Sequence, residues 1–267
     1  MSQTAQPKGL FLDQAPRAAE VPMTDAEREA RVRLAACYRI FDHLGWTELI
    51  FNHITLRVPS SVPGTETIFL INPFGLHYRE ITASSLVAVD LQGRPVRPTA
   101  HPVNLAGFVT HSAIHGHLPA AHCVMHTHTT SGIAVACLEH GLSHDSFYGA
   151  QLDGQLAYHD FEGVTVNLDE QQRMLASIGN QRAVILRNHG LLSWGETVEE
   201  AFMWLWTLQR ACDIQIAAAA AGRMRPLPAA VRAQATLECA ARQPQVCKAV
   251  FDSLARQVDA RDGSYRL

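Results

Sequence analysis

"HCVMHTHTTSGIAVA", residues 122–136, sets a short apolar run against two histidines and then against small residues of helical character. Cys123, Val124 and Met125 favour a buried strand. Side chains alternate along a strand, so His126 and His128 share one face. At that spacing their Cα atoms lie about 6.5–7 Å apart, and the two imidazoles can converge on one ion. An HxH pair alone is a weak signal and fits two buried, hydrogen-bonded histidines better than a metal site. The reading therefore turns on a third ligand.

"AVILRNHGLLSWG", residues 183–195, reads as a hairpin or bent strand pair. His189 ends its apolar strand, and Gly190 permits a sharp backbone turn beside it. Two histidines on one strand and a third on another make a three-imidazole site. Three protein ligands leave positions open for water, substrate or dioxygen, the layout of a catalytic metal centre.

The rest of the chain supplies a frame. Residues 1–22 carry three prolines and no periodicity, and read as a flexible arm. "TDAEREARVRLAACYRIFDHLG" reads as a helix with Thr24 as cap, Glu27 completing a capping box and Gly45 as left-handed stop. "HITLRV", "ETIFLIN" and "SLVAVDLQG" read as strands. "NLAGFVTHSAIHGHL" and "TSGIAVACL" read as helices. "NLDEQQRMLASIG" opens on a capping-box pattern, Asn167 to Glu170, and stops at Gly179. The longest predicted helix runs from Thr197, paired with Glu200, to Gly222. Val198, Phe202, Leu205, Cys212 and Ile216 fall on one face of it. "RMRPLP" is a linker into a helical tail, 223–267, so the main domain spans 23–222. Interleaved strands and helices predict a three-layer α/β/α sandwich.

Composition excludes several classes. The chain has 267 residues, 47% hydrophobic and 18% charged, with a formal charge of −3. No basic field is present to attract nucleic acid or anionic lipid. No apolar run reaches membrane-spanning length, and the N-terminus shows no basic start followed by an apolar core. The six cysteines form no CxxC pair and read as reduced thiols of a cytoplasmic protein. The 14 histidines are the unusual count.

Taken in order, "FNHITLRV", "INPFGLHYREIT", "HTHTTSGIAVA", "YHDFEG" and "LRNHGLLSWGETVEEAF" resemble the class II aldolase/adducin family over roughly residues 28–222. The resemblance implies a three-layer fold around a central, mostly antiparallel sheet. It implies one divalent transition metal per subunit, zinc first with iron or manganese as options, held by His126, His128 and His189. It also implies cyclic homotetramers with sites at subunit contacts.

The sequence departs from the family's sugar-phosphate aldolases in two places. Those enzymes carry a Glu before the helix that precedes the HxH strand. Here the stretch reads "RPTAHPVNLAG", and no Asp or Glu occurs from Leu91 to Leu138. His101 is the expected substitute acid/base, or a fourth ligand. The phosphate-binding turns are also altered. Asn52 and Gly75 survive, Phe51 and Phe74 make the pocket more apolar, and Thr99 keeps one hydroxyl. A small non-phosphorylated keto or hydroxy acid, or an aldehyde, follows as the expected substrate.

Tyr148, more than Tyr158, matches the family tyrosine that protonates the leaving group across a subunit boundary. Arg79 and Arg187 are candidates for a substrate carboxylate. His111 and His115 stand four apart on the predicted helix without the Glu of HExxH, which suggests the helix surface or a supporting role behind the metal. Three functions remain open. A metal-dependent lyase comes first. A non-haem iron oxygenase, as in family members that oxidatively decarboxylate aromatic keto acids, comes second. A non-catalytic interaction domain, as in adducin, comes third.

Overall fold

The computed structural model describes residues 21–103, 105–163, 169–240 and 244–267. The expected N-terminal arm lies almost wholly outside them. Helix α1 spans Asp25–Leu44 and leads to β1 (His53–Pro59), β2 (Thr67–Ile71) and β3 (Val87–Val89). Then follow α2 (Leu105–His117), β4 (Cys123–Thr127), α3 (Thr130–Ala136), α4 (Phe147–Ala150) and β5 (Leu156–His159). Next come α5 (Glu170–Ile178), β6 (Ala183–Leu186), β7 (Gly190–Gly195), α6 (Val198–Ala221), α7 (Ala229–Ala240) and α8 (Pro244–Arg261).

The strands form one seven-stranded sheet in the order β3-β2-β1-β4-β7-β6-β5. Every pairing is antiparallel except β5 with β6. Alternation sorts the side chains into two faces. Ile54, Cys123, Met125, Ile185 and Leu191 join the large core made with α1, α3, α6 and α8. Val124, Val184, Leu186, Leu192 and Trp194 face the other way, onto α2 and α5. Near β2 and β3 a third cluster gathers Phe69, Ile71, Val89 and Phe108. The expected three-layer α/β/α sandwich is the fold.

Local signals hold at most helix ends, with informative exceptions. Thr24 Oγ1 accepts the Glu27 N–H at 3.1 Å. The Glu27 carboxylate does not return to the cap. It is fully buried and bonds to Arg31 and Arg97, so the capping box is half formed. Thr197 accepts the Glu200 N–H at 3.2 Å, while the Glu200 side chain takes the N–H of Glu196. Asn167 lies outside the described residues, and Asp169 occupies the N-cap position of α5. Ile216, expected on the buried stripe of α6, sits 38% exposed, while the buried Gln209 and Gln215 bond α3 and the 141–143 loop. Phe251 and Val258 of α8 pack in the large core, and the last turn brings Tyr265 to 1% exposure. No described helix is long and apolar enough to cross a membrane.

Candidate metal centre

The register of the sheet assembles the site. His126 is the last residue but one of β4 and stands opposite Leu192 of β7 on one side and His53 of β1 on the other. Its Nδ1–H donates to the Leu191 carbonyl at 2.8 Å, which fixes the ring and leaves Nε2 as the ligand atom. His128 follows just past the strand. His189 arrives in the tight β6–β7 connection, where Asn188 takes a left-handed φ of 57°. The His189 N–H closes on the Leu186 carbonyl at 3.1 Å.

The three rings lie 4.5, 4.8 and 4.9 Å apart, centroid to centroid. One nitrogen from each falls within 4.8 Å of the others, the metal-ligand grouping found among the described residues. Gly190 makes this approach possible. A Cβ there would stand 2.4 Å from the Thr127 carbonyl oxygen, 3.0 Å from the His128 ring and 3.1 Å from the His126 ring.

Charge favours the neutral, ligating form. Burial pushes His126 far below the ordinary histidine range, helped by His189 and His128. Burial also lowers His128, and the Glu48 carboxylate partly restores it. His189 is pushed down to about 4 by burial and then by His128 and His159. His126 Nε2 and His128 Nε2 stand 2.7 Å apart. Since His126 already carries its proton on Nδ1, His128 Nε2–H is the donor, and a bound cation would take that proton's place. The donor set therefore fits a divalent transition metal, with imidazoles suited to zinc, iron or manganese.

The other expected site residues are scattered more widely. Asn52 lies one residue before His53 with a φ of 70°, 5% exposed, and neither side-chain amide atom has a partner. Gly75, at φ 99°, faces open space, and the Phe74 N–H bonds the Pro102 carbonyl at 3.1 Å. Thr99 Oγ1 accepts the His101 N–H at 3.1 Å. Both line a separate cleft of about 370 Å³ beside Arg31 and Arg97. Tyr148 packs on Trp206 at 5.2 Å, next to Phe147, which is 73% exposed. Within one chain, neither His101 nor Tyr148 touches the three rings by any contact among the described residues.

Arg79 pairs with Asp42 at 3.6 Å on the surface, while Arg187 lies over the Tyr158 ring and borders the small cleft that His189 lines. That cleft also holds Phe161 and the buried pair His159–Glu170, 3.4 Å apart. Two carboxylates outside the segment where one is missing bear on the centre: Glu170 lines the same cleft as His189, and the charge of Glu48 is felt at His128.

Sequence reading passed over His53, whose ring lies 5.6 Å from that of His126. Period-two alternation in "HITLRV" puts His53 and Thr55 on one face; only the β1–β4 pairing puts that face beside the metal ligands. His111 and His115 are 0% and 2% exposed, so of the two roles expected for them the structure rules out the helix surface.

With this geometry the class is defined: an α/β sandwich carrying three convergent histidines at the ends of two neighbouring strands. Residues 32–216 match the Class II Aldolase and Adducin N-terminal domain, and the chain belongs to that family. It is 44% identical over 212 residues to a Caulobacter vibrioides protein named "Putative aldolase class 2 protein", covering 79% of this chain and 81% of that one. It is 47% identical over 193 residues to rat (Rattus norvegicus) alpha-adducin, covering 71% of this chain and 26% of adducin. The solved L-fuculose 1-phosphate aldolase from Glaciozyma antarctica superposes with a TM-score of 0.78 at 28% identity, over 93% of this chain and 97% of that one.

Proposed function

We propose that the protein is a divalent-metal-dependent lyase of the aldolase type, acting on a small non-phosphorylated keto or hydroxy acid or aldehyde. The carrying observation is the convergence of His126, His128 and His189 on one point. A bound zinc, iron or manganese ion would act as a Lewis acid on a substrate oxygen, stabilising the charge left by C–C cleavage. His126, clamped by Leu191, and His128 and His189, kept neutral by burial, would hold it. Asn52, Phe74, Gly75 and Thr99 are the proposed substrate contacts. His101 or Tyr148 moves the proton. The exposed face of α4 around Phe147 and Tyr148 supports a tyrosine that serves a neighbouring subunit, as expected for a homotetramer. Six free cysteines fit a cytoplasmic setting.

The test is elemental analysis of untagged protein followed by cleavage and reverse-addition assays across keto and hydroxy acids. Protein that holds the metal and turns over none of them would defeat the lyase reading. A non-catalytic, adducin-like role is the second reading, favoured by the 47% identity to alpha-adducin. The third, an iron oxygenase, is favoured by three retained histidine ligands beside a 91–138 segment without Asp or Glu; substrate-dependent oxygen uptake by ferrous protein would establish it.

A further inference from the structure

The three convergent histidines are anchored unequally. His126 is held through its own ring, by the Leu191 carbonyl. Among the described residues the His128 ring bonds only His126, and no ring hydrogen bond holds His189. Imidazole ligands are usually aimed by a bond to the second ring nitrogen. For His128 and His189 the aim has to come from the backbone.

One short helix touches both backbones. α3 begins right after His128, with Thr129 as its N-cap, and Thr129 Oγ1 accepts the Gly132 N–H at 3.3 Å. At the other end the Ala136 carbonyl accepts the Asn188 N–H at 3.1 Å, one residue before His189. α3 thus spans the gap between the two histidines. It also lies tight on β7, where a Cβ on Gly132 would stand 2.9 Å from the Leu191 side chain.

A ring of side chains ties α3 to α6. Gln209, 3% exposed, stands at its middle. The Gln209 Nε2 donates to Ser131 Oγ and to Asp213 Oδ1, both at 2.7 Å. Ser131 Oγ gives its own proton to Asp213. The Gln209 Oε1 accepts the Thr129 hydroxyl at 2.5 Å. Only one amide orientation fits. Turned over, Oε1 would face the Asp213 carboxylate, acceptor against acceptor. With the amide fixed, Thr129 donates to Gln209 and keeps its lone pairs for the Gly132 N–H. A closed, satisfied network of this kind is rigid.

We infer that Gln209 is a positioning residue for the metal centre: by clamping Thr129 and Ser131 it fixes α3, and α3 sets the backbones that carry His128 and His189. The inference rests on the metal reading of the site and adds the element that aims it. The same helix holds a control. Gln215, 9% exposed, takes the Ser143 N–H at 2.6 Å and donates to the Gly141 carbonyl at 2.9 Å. It makes buried bonds of the same kind, to a loop that carries none of the three histidines.

The experiment uses the full chain, metal-free and then titrated with zinc. Competition with a chromogenic chelator gives the zinc dissociation constant, and visible absorption of the cobalt(II) form reports the ligand geometry. Gln209→Leu is expected to weaken zinc about 10–100-fold, the usual effect of losing a supporting residue, and to shift the cobalt bands. Gln215→Leu is expected to lose stability while keeping wild-type zinc affinity and bands. Equal weakening in both variants makes Gln209 a structural residue only and overturns the inference. Unchanged zinc affinity or unshifted bands in Gln209→Leu do the same. If Gln209→Leu fails to fold, Thr129→Val and Thr129→Ser decide. The valine should weaken zinc and the serine restore it; a valine variant with wild-type affinity overturns the inference. Wild-type protein that takes up no zinc or cobalt removes the metal reading itself, whereas tight binding that ignores Gln209 and Thr129 removes the positioning role alone.

Discussion

Gly190 lies one residue from Leu191, the partner of Thr127 in the β4–β7 pairing, and so close to Thr127 that a Cβ on the glycine would stand 2.4 Å from the Thr127 carbonyl oxygen. The contact is backbone against backbone, and no side-chain rotation relieves it. Gly190→Ala is therefore expected to prise the strand ends apart. The cost is about 1–3 kcal/mol of stability, typical of overpacking. Zinc uptake should fall with it, because His126 and His128 flank the same spot. Denaturant midpoints and metal content together check this; a variant that keeps full zinc binding shows the approach to be dispensable.

His189→Ala removes the ligand contributed by the second strand. Zinc stoichiometry is expected to fall below half at micromolar metal, with the fold retained, since His189 sits in a turn outside the apolar clusters. Circular dichroism and elemental analysis on the same sample measure both.

His101→Ala and Tyr148→Phe separate catalysis from metal binding. Both should keep wild-type zinc content, because neither residue touches the three rings. Activity should drop about 10²-fold or more if either transfers the proton. Loss of zinc in His101→Ala would make His101 a ligand instead.

Acid should destabilise the metal-free protein. Burial holds His53 and His115 down to about 3 and His189 to about 4, all below the ordinary value near 6.5. The unfolded chain therefore binds more protons once the pH drops below about 6.5, and stability rises with pH through that range. The full contribution is present above pH 6.5 and is lost as pH falls toward 4 and then 3. Each histidine contributes up to about 1.4 kcal/mol per pH unit. Urea midpoints at pH 7.5, 6.5 and 5.5 should fall in that order; a flat series would mean that these rings are protonated without cost.

Glu27→Gln leaves Arg31 and Arg97 buried without their shared carboxylate. Removing one partner of a buried ion cluster costs about 3–5 kcal/mol. Thermal unfolding reads the loss, and a variant within 1 °C of wild type would mean that solvent reaches the cluster.

Much of the frame was legible from local pattern. The β4 run Cys123–Met125, the β6–β7 hairpin around Gly190 and the caps at Thr24 and Thr197 each carry their own physical signal, and the three-layer fold follows from their order. Period-two alternation put His126 and His128 on one face, and Gly190 marked the strand end at His189; the joining of the three into one set leaned on the family resemblance. What stayed hidden depends on which elements become neighbours. Glu27 reads as a capping residue until Arg97 comes within 2.7 Å of it. His53 reads as an ordinary strand residue until β1 pairs with β4. Glu170 reaches the His189 cleft from α5, far along the chain from the segment where a carboxylate was sought.

Because the three histidines ride on the hydrogen-bonded neighbours β4 and the β6–β7 turn, strand alignment and any capture of a cation would be a single event. A slip of one position along β4 would swing His126 into the oily side of the sheet and bring Thr127 out in its stead. Chains caught in such a mispaired arrangement would not present the three rings together, so a metal bound there would act as a proofreader, drawing the population toward the one alignment it can recognise.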